Sequence, residues 1–261
     1  MVYMSPSIKN TCLKASALVL VLFFTQCAKE KTKDKMSFDE LSDKTKTALK
    51  AKKRDNAITY LEEIVSRYPD HANIAKYKIL LAEMYFKDGR YAAAQEVYEH
   101  FNQFYPADKR TEYAKYKSIM AMFYQTLKTD CDQTETEETV KLCQEYIQNN
   151  AFKQYRKEVQ DIQTTCQNKL IDKEIYIFSF YLKQGHLDAA QGRLKYLKDK
   201  YLALNPALDA RLLYLECKLA KKQKNLTLVH ENVKTLRTKY ASSSFTQMAQ
   251  ALTEKQRPFI F

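Results

Sequence analysis

Glycine is nearly missing from this 261-residue chain, which has three, at positions 89, 185 and 192, where an average protein has about 7%. So few residues suited to positive φ argue against phosphate-cradling loops, nucleophile elbows and hairpin-rich β folds. Tryptophan is absent and histidine is scarce. His71, His100, His186 and His230 lie far apart, without the paired spacing of a metal site. No G-x-S-x-G, phosphate-loop or H-E-x-x-H motif occurs, so the usual marks of hydrolases, nucleotide enzymes and metalloproteases are lacking. Acidic clusters such as Glu135, Glu137 and Glu138 start helices more often than they perform acid–base chemistry. The residues therefore predict no catalytic group, no metal and no cofactor. No C-x-x-C pair occurs among the six cysteines, which removes the common zinc and thiol-redox spacings. The longest apolar run, ASALVLVLFF at 15–24, falls short of the about 20 residues that a spanning helix needs.

What the chain has instead is tyrosine, phenylalanine and a recurring pattern. Residues 81–106 read LAEMYFKDGRYAAAQEVYEHFNQFYP. Thirty-seven positions before Ala94, Tyr98, Phe101, Tyr105 and Pro106 stand Ala57, Leu61, Ile64, Tyr68 and Pro69. Ninety-six positions after Tyr85, Gly89, Ala94, Tyr98 and Phe101 stand Tyr181, Gly185, Ala190, Leu194 and Leu197. Leu81, Ala82, Tyr85, Gly89, Tyr91, Ala94, Tyr98 and Pro106 have the spacing of a tetratricopeptide repeat. Such a helix pair cannot bury its apolar face alone and stacks on its neighbours. The prediction is an all-α superhelical solenoid of about five helix pairs, a scaffold that binds partners. Breaks and apolar periodicity place helices at 38–50, 54–68, 72–88, 91–105, 109–127, 138–149, 152–182, 187–201, 208–222 and 226–240. Small Ala57, Ala94 and Ala190 mark the close helix contacts, and Pro69 and Pro106 stop helices.

The amino-terminal segment sets the compartment. Lys9 and Lys14 precede the apolar run, and Cys27 follows it. This resembles a bacterial lipoprotein signal, although Phe24 and Gln26 stand where such signals usually carry Leu and a small residue. The expected division is a signal peptide at 1–26, a lipidated tether at 27–37 beginning with Cys27, a repeat domain at 38–240 and a C-terminal tail at 241–261. Ala28 next to the cysteine is not the Asp that retains enterobacterial lipoproteins in the inner membrane, so the resemblance implies the outer membrane, facing the periplasm. With Cys12 in the signal and Cys27 lipidated, Cys131, Cys143, Cys166 and Cys217 remain. They read as separate buried thiols, with Cys131–Cys166 the pairing of choice if a bridge forms.

The formal charge of +12 is uneven. Residues 28–54 carry ten basic and five acidic side chains, and 218–257 carry nine and two. Basic ends on a near-neutral body fit solvated helix faces, an anionic membrane surface or an acidic partner. Nucleic acid is the weakest option, because no reader motif is present.

The segments SRYPDHANIAKYKILLAEMYFKDGRYAAAQEVYEHFNQFYP (66–106), EYAKY (112–116), DQT (132–134) and FYLKQGHLDAAQGRLKYLKDKY (180–201) carry a resemblance to the BamD (YfiO/ComL) family of lipoproteins. Asn150–Ala151 and Leu202 depart from that family's usual prolines. The resemblance implies a non-enzymatic scaffold of the outer-membrane β-barrel assembly machine. Its partners would be the periplasmic repeats of the barrel assembly protein, accessory lipoproteins and unfolded outer-membrane proteins. A secretin pilotin or a cell-wall adaptor is the alternative. In tetratricopeptide arrays the first helix of each pair lines the concave groove. Counting from Pro106 predicts Lys76, Ile79, Glu83, Phe86 and Lys87 on that face. Counting through Tyr181 and Gly185 predicts Asp172, Ile175, Ser179, Leu182 and Lys183.

Overall fold

The computed structural model describes residues 36–254, and within them all regular structure is helical. The helices run α1 (Phe38–Lys50), α2 (Arg54–Arg67), α3 (Ile74–Lys87), α4 (Tyr91–Phe104), α5 (Thr111–Gln125), α6 (Thr134–Gln148), α7 (Arg156–Gln184), α8 (Leu187–Leu197), α9 (Asp209–Lys222), α10 (Leu226–Lys239) and α11 (Ser244–Glu254). A π-helical turn, Lys198–Leu202, and a 3-10 turn, Pro206–Leu208, join α8 to α9. Consecutive helices pack against each other, giving five successive pairs with α11 laid over α9 and α10. The predicted solenoid of five pairs is present.

Two kinds of turn repeat, and each explains part of the sequence period. Between pairs, the chain leaves a helix at Tyr68, Tyr105 or Tyr240. It then makes the same hydrogen bonds: His71 N–H to Tyr68 O, Asp108 N–H to Tyr105 O and Ser243 N–H to Tyr240 O. Within four of the five pairs, the first helix is followed by a left-handed residue and the next N–H reaches back five residues. Lys53 bonds to Ala48, Arg90 to Tyr85, His186 to Tyr181 and Asn225 to Ala220. The left-handed residues are Lys52 (φ 56°), Gly89 (φ 77°), Gly185 (φ 83°) and Lys224 (φ 60°). Scarce glycine therefore did not prevent these turns, because two lysines take the strained conformation.

The alanines do what their spacing predicts. Ala57, Ala94 and Ala190 are fully buried, alongside Leu61, Tyr98 and Leu194. Aromatic and aliphatic side chains make five clusters in succession along the array; the first two share Tyr85, Val97 and Tyr105, and the last two share Tyr214.

Several boundaries differ from expectation. Helix α6 starts at Thr134 rather than near 138, because Asp132 Oδ1 accepts the Thr134 N–H at 2.8 Å and turns the chain into the helix. Helix α7 is unbroken and about 43 Å long, packing on α6 with its first half and on α8 with its second. Where a tail was expected from 241, α11 forms. Its Thr246 and Ala249 are buried, and Phe245 stacks on Tyr214 at 5.9 Å. No Cys131–Cys166 bridge exists. Cys131 is exposed, and Lys173, two turns along α7 from the buried Cys166, donates to its carbonyl. Burial pushes the Cys143 thiol up to about 12 and those of Cys166 and Cys217 up to about 11, which suppresses their thiolates. Cys27 lies outside the described residues.

Candidate functional site

Helix α3 has three faces with different fates. Tyr77, Leu81 and Met84 pack toward α1 and α2, while Ile79 and Ala82 pack toward α4 and α5. The remaining stripe ends in Glu83, Phe86 and Lys87. Helix α5 brings Tyr113 and Lys117 opposite, and these five residues line an open pocket of about 500 Å³.

Its chemistry combines a ring with two ammonium groups. Lys117 Nζ sits 3.4 Å from the centre of the Phe86 ring, a cation–π contact. Phe86 meets Tyr91 edge-on at 5.3 Å and Tyr124 at 5.6 Å, and Tyr91 stacks on Tyr124 at 4.8 Å. Tyr124 is half exposed, so the aromatic surface continues out of the pocket. The Tyr113 hydroxyl donates to Glu83 Oε1 at 3.1 Å. Burial, reinforced by Glu83, holds the Tyr113 phenol above its ordinary range. Burial also pushes the Lys117 ammonium below its usual value, Glu83 opposes this, and Lys87 adds to it. Two cations thus face one carboxylate that a phenol already engages. An incoming carboxylate would be favoured here, and the aromatic wall would accept an apolar or aromatic side chain.

The first predicted set is brought together in part. Glu83, Phe86 and Lys87 line the pocket, and Lys76 is exposed farther down α3. Ile79 does not reach the groove: it is 8% exposed and packed with Ala82, Ala94 and Tyr98. The second set is a packing face. Ile175 and Leu182 are buried among α7, α8 and α9, and Asp172 pairs with Arg211 of α9 at 2.7 Å. Ser179 is half-buried, and only Lys183 is exposed. The open face of α7 lies one residue round, at Tyr176 (53% exposed) and Phe180 (51%), because α9 stacks on the stripe that the count assigned to the groove.

Lys117, Tyr113, Tyr91 and Tyr124 were missed. The signal for two of them was available, since a step of 34 residues from Ile79 and Glu83 lands on Tyr113 and Lys117, the ordinary tetratricopeptide period. Other segments that carried the resemblance have structural work. Glu112 accepts the Tyr146 hydroxyl at 2.7 Å and the Gln154 N–H at 2.6 Å, pinning the α6–α7 turn. Tyr116 stacks on Tyr155 at 4.5 Å. Gln133 donates to the carbonyls of Lys128 and Cys131, and Arg193 pairs with Glu174 at 3.0 Å. Among the described residues no three His, Cys, Asp or Glu side chains gather as a metal site would require.

The model of the YfiO family, described as outer membrane lipoprotein, matches residues 34–221. The outer membrane protein assembly factor BamD of Caulobacter vibrioides is 22% identical over 165 residues, which cover 63% of this chain and 54% of that protein. The chain thus spans about half the length of this curated relative. Among solved structures, PilW, a type IV pilus biogenesis factor, is 16% identical with a TM-score of 0.30, covering 84% of this chain and 85% of that one.

Proposed function

The chain belongs to the YfiO family of outer membrane lipoproteins, and from that premise we propose that it is a non-enzymatic scaffold for assembling outer-membrane β-barrel proteins. In this reading residues 1–26 are a signal peptide, Cys27 carries the lipid, and the repeat body faces the periplasm. There it binds the barrel assembly protein and receives unfolded clients. The observation that carries the client-binding part is the α3–α5 pocket. Its aromatic wall and its surplus of ammonium groups suit an extended segment that presents an aromatic side chain beside a carboxylate.

Calorimetry with a synthetic C-terminal β-strand peptide of an outer-membrane protein tests the site. Phe86→Ala and Lys117→Glu are each expected to weaken binding about tenfold or more, the loss of one aromatic or charge-assisted contact. Unchanged affinity in both variants, with intact circular dichroism, removes the pocket from the client path. Ile79→Ala is unsuitable for this test, because it opens the core. Affinity purification from detergent-solubilised envelope tests the assembly role separately, by recovering either the large barrel assembly protein or a secretin.

A further inference from the structure

The turn joining α1 to α2 concentrates positive charge, most of which has no carboxylate partner among the described residues. Lys50, Lys52, Lys53 and Arg54 stand within five residues, and Lys44 lies one and a half turns back on α1. The neighbouring acids are already engaged. Asp43 pairs with Lys46 at 2.9 Å, Asp88 with Arg54 at 3.3 Å and with Arg90 at 2.7 Å, and Asp55 with Arg90 at 3.6 Å. Among the described residues, Lys44, Lys50, Lys52 and Lys53 have no carboxylate partner and are exposed.

Two shallow clefts adjoin here and share Lys53 and Asn56. One, of about 230 Å³, lies between α1 and α2 and is lined by Lys44, Thr47, Lys53, Asn56 and Tyr60. The other, of about 460 Å³, is lined by Lys52, Lys53, Arg54 and Asn56 together with the carboxylates of Asp55 and Asp88, which the arginines already engage. In the first cleft, ammonium groups, an amide and hydroxyls around a shallow opening suit a phosphate group that arrives on a surface. The inference rests on the proposed reading that Cys27 carries the lipid: residues 27–36 then reach at most about 35 Å from the anchor to α1.

We propose that this first turn is a membrane-facing patch that holds the headgroups of anionic phospholipids. It acts as a second, electrostatic contact beside the lipid anchor and orients the array on the membrane. Its lysines are not among the residues that line the α3–α5 pocket, so lysine protection on vesicles is read separately from client binding. Attraction rather than insertion is involved, since no helix among the described residues is long and apolar enough to cross a membrane.

The test uses the full lipidated chain reconstituted in vesicles of phosphatidylcholine alone or with one-third phosphatidylglycerol. An amine-reactive reagent is applied and modification of each lysine is followed by mass spectrometry. Modification of Lys50, Lys52 and Lys53 is expected to slow about tenfold on the anionic vesicles, while Lys234 and Lys239 on α10 react alike on both. Raising salt from about 0.05 M to about 0.5 M should abolish the difference. In a Lys50→Glu/Lys52→Glu/Lys53→Glu chain, folded by circular dichroism, protection of Lys44 should disappear. Equal lysine reactivity on the two vesicle types in the wild-type chain overturns the proposal, and that comparison needs no variant to fold. Protection by inorganic phosphate alone, equal to that on anionic vesicles, also overturns it, because the cleft would then take the free anion.

Discussion

Asp108 sits in a turn between pairs and accepts from Arg110 three times, from its backbone N–H at 2.8 Å, Nε at 2.8 Å and an Nη at 2.7 Å. These bonds, led by the guanidinium, hold its carboxyl at about 2 against an ordinary 3.8. A lowered carboxylate stabilises the fold fully above the ordinary value and loses that contribution as pH falls through the folded one. Asp108→Asn should therefore cost about 1 kcal/mol near neutrality, after allowance for solvent screening. Urea titrations of variant and wild type should converge between pH 4 and pH 2. Lys224 has the opposite character. Its left-handed backbone, φ 60°, costs a non-glycine residue about 1–2 kcal/mol. Lys224→Gly should raise the urea midpoint, by up to about 1 kcal/mol of stability, since glycine's looser unfolded chain offsets part of the relief. A lower midpoint would show that the lysine side chain contributes more than its backbone costs.

Ala57, Ala94 and Ala190 are fully enclosed within the helix array. Ala94→Leu and Ala190→Leu place three extra carbons in contacts that are fully closed, so each should lower stability by about 1–3 kcal/mol or more. Melting temperatures equal to wild type would show that the seams can open. These elements were readable because period and residue size act locally: small Ala57, Ala94 and Ala190 in three of the pairs, an apolar stripe every three or four positions, and Tyr68, Tyr105 and Tyr240 at the ends of three helices. The groove was less readable. Ile79 and Phe86 both lie on the first helix of a pair and both are apolar, yet one is core and the other lines a pocket. On α7 the mistake was a rotation of one residue, enough to exchange Ile175 for Tyr176. A single helix reveals which stripe is apolar, whereas the neighbour that covers it is chosen by how the pairs stack.

Across the molecule the two ends have different roles. Helix α11 covers the last pair: Phe245 meets Tyr214, Lys221 Nζ donates to the Leu252 carbonyl at 2.6 Å, and Ala249 joins Cys217, Ala220 and Val233. Ending the chain after Ser243 should expose that cluster and cost about 2 kcal/mol or more. By scanning calorimetry that is a drop of about 5 °C. An unchanged transition would mean that the first five pairs hold without this cover. At the other end, Cys27→Ala should abolish fatty-acid labelling and release the protein from membranes. High salt should leave the wild type attached, because a covalent anchor is not screened as charges are. Retained labelling in that variant would place the lipid elsewhere.

Helical class, repeat register, the positions of the tight seams and family membership follow from residue order, because each depends on contacts within one pair or on short motifs read in line. Residue order also disclosed an excess of basic residues at both ends. Stacking of the pairs settled the rest. It buried Ile79, Ile175 and Leu182 against adjacent helices, turned Tyr176 and Phe180 outward, and set Lys117 over Phe86 across a gap that neither helix could define alone. It also decided which basic residues near the first turn kept free charge, since Arg54 meets Asp88 and Asp55 meets Arg90 only when the second pair lies against the first. Such contacts join residues some thirty positions apart, and their partners depend on the angle between pairs rather than on any local pattern.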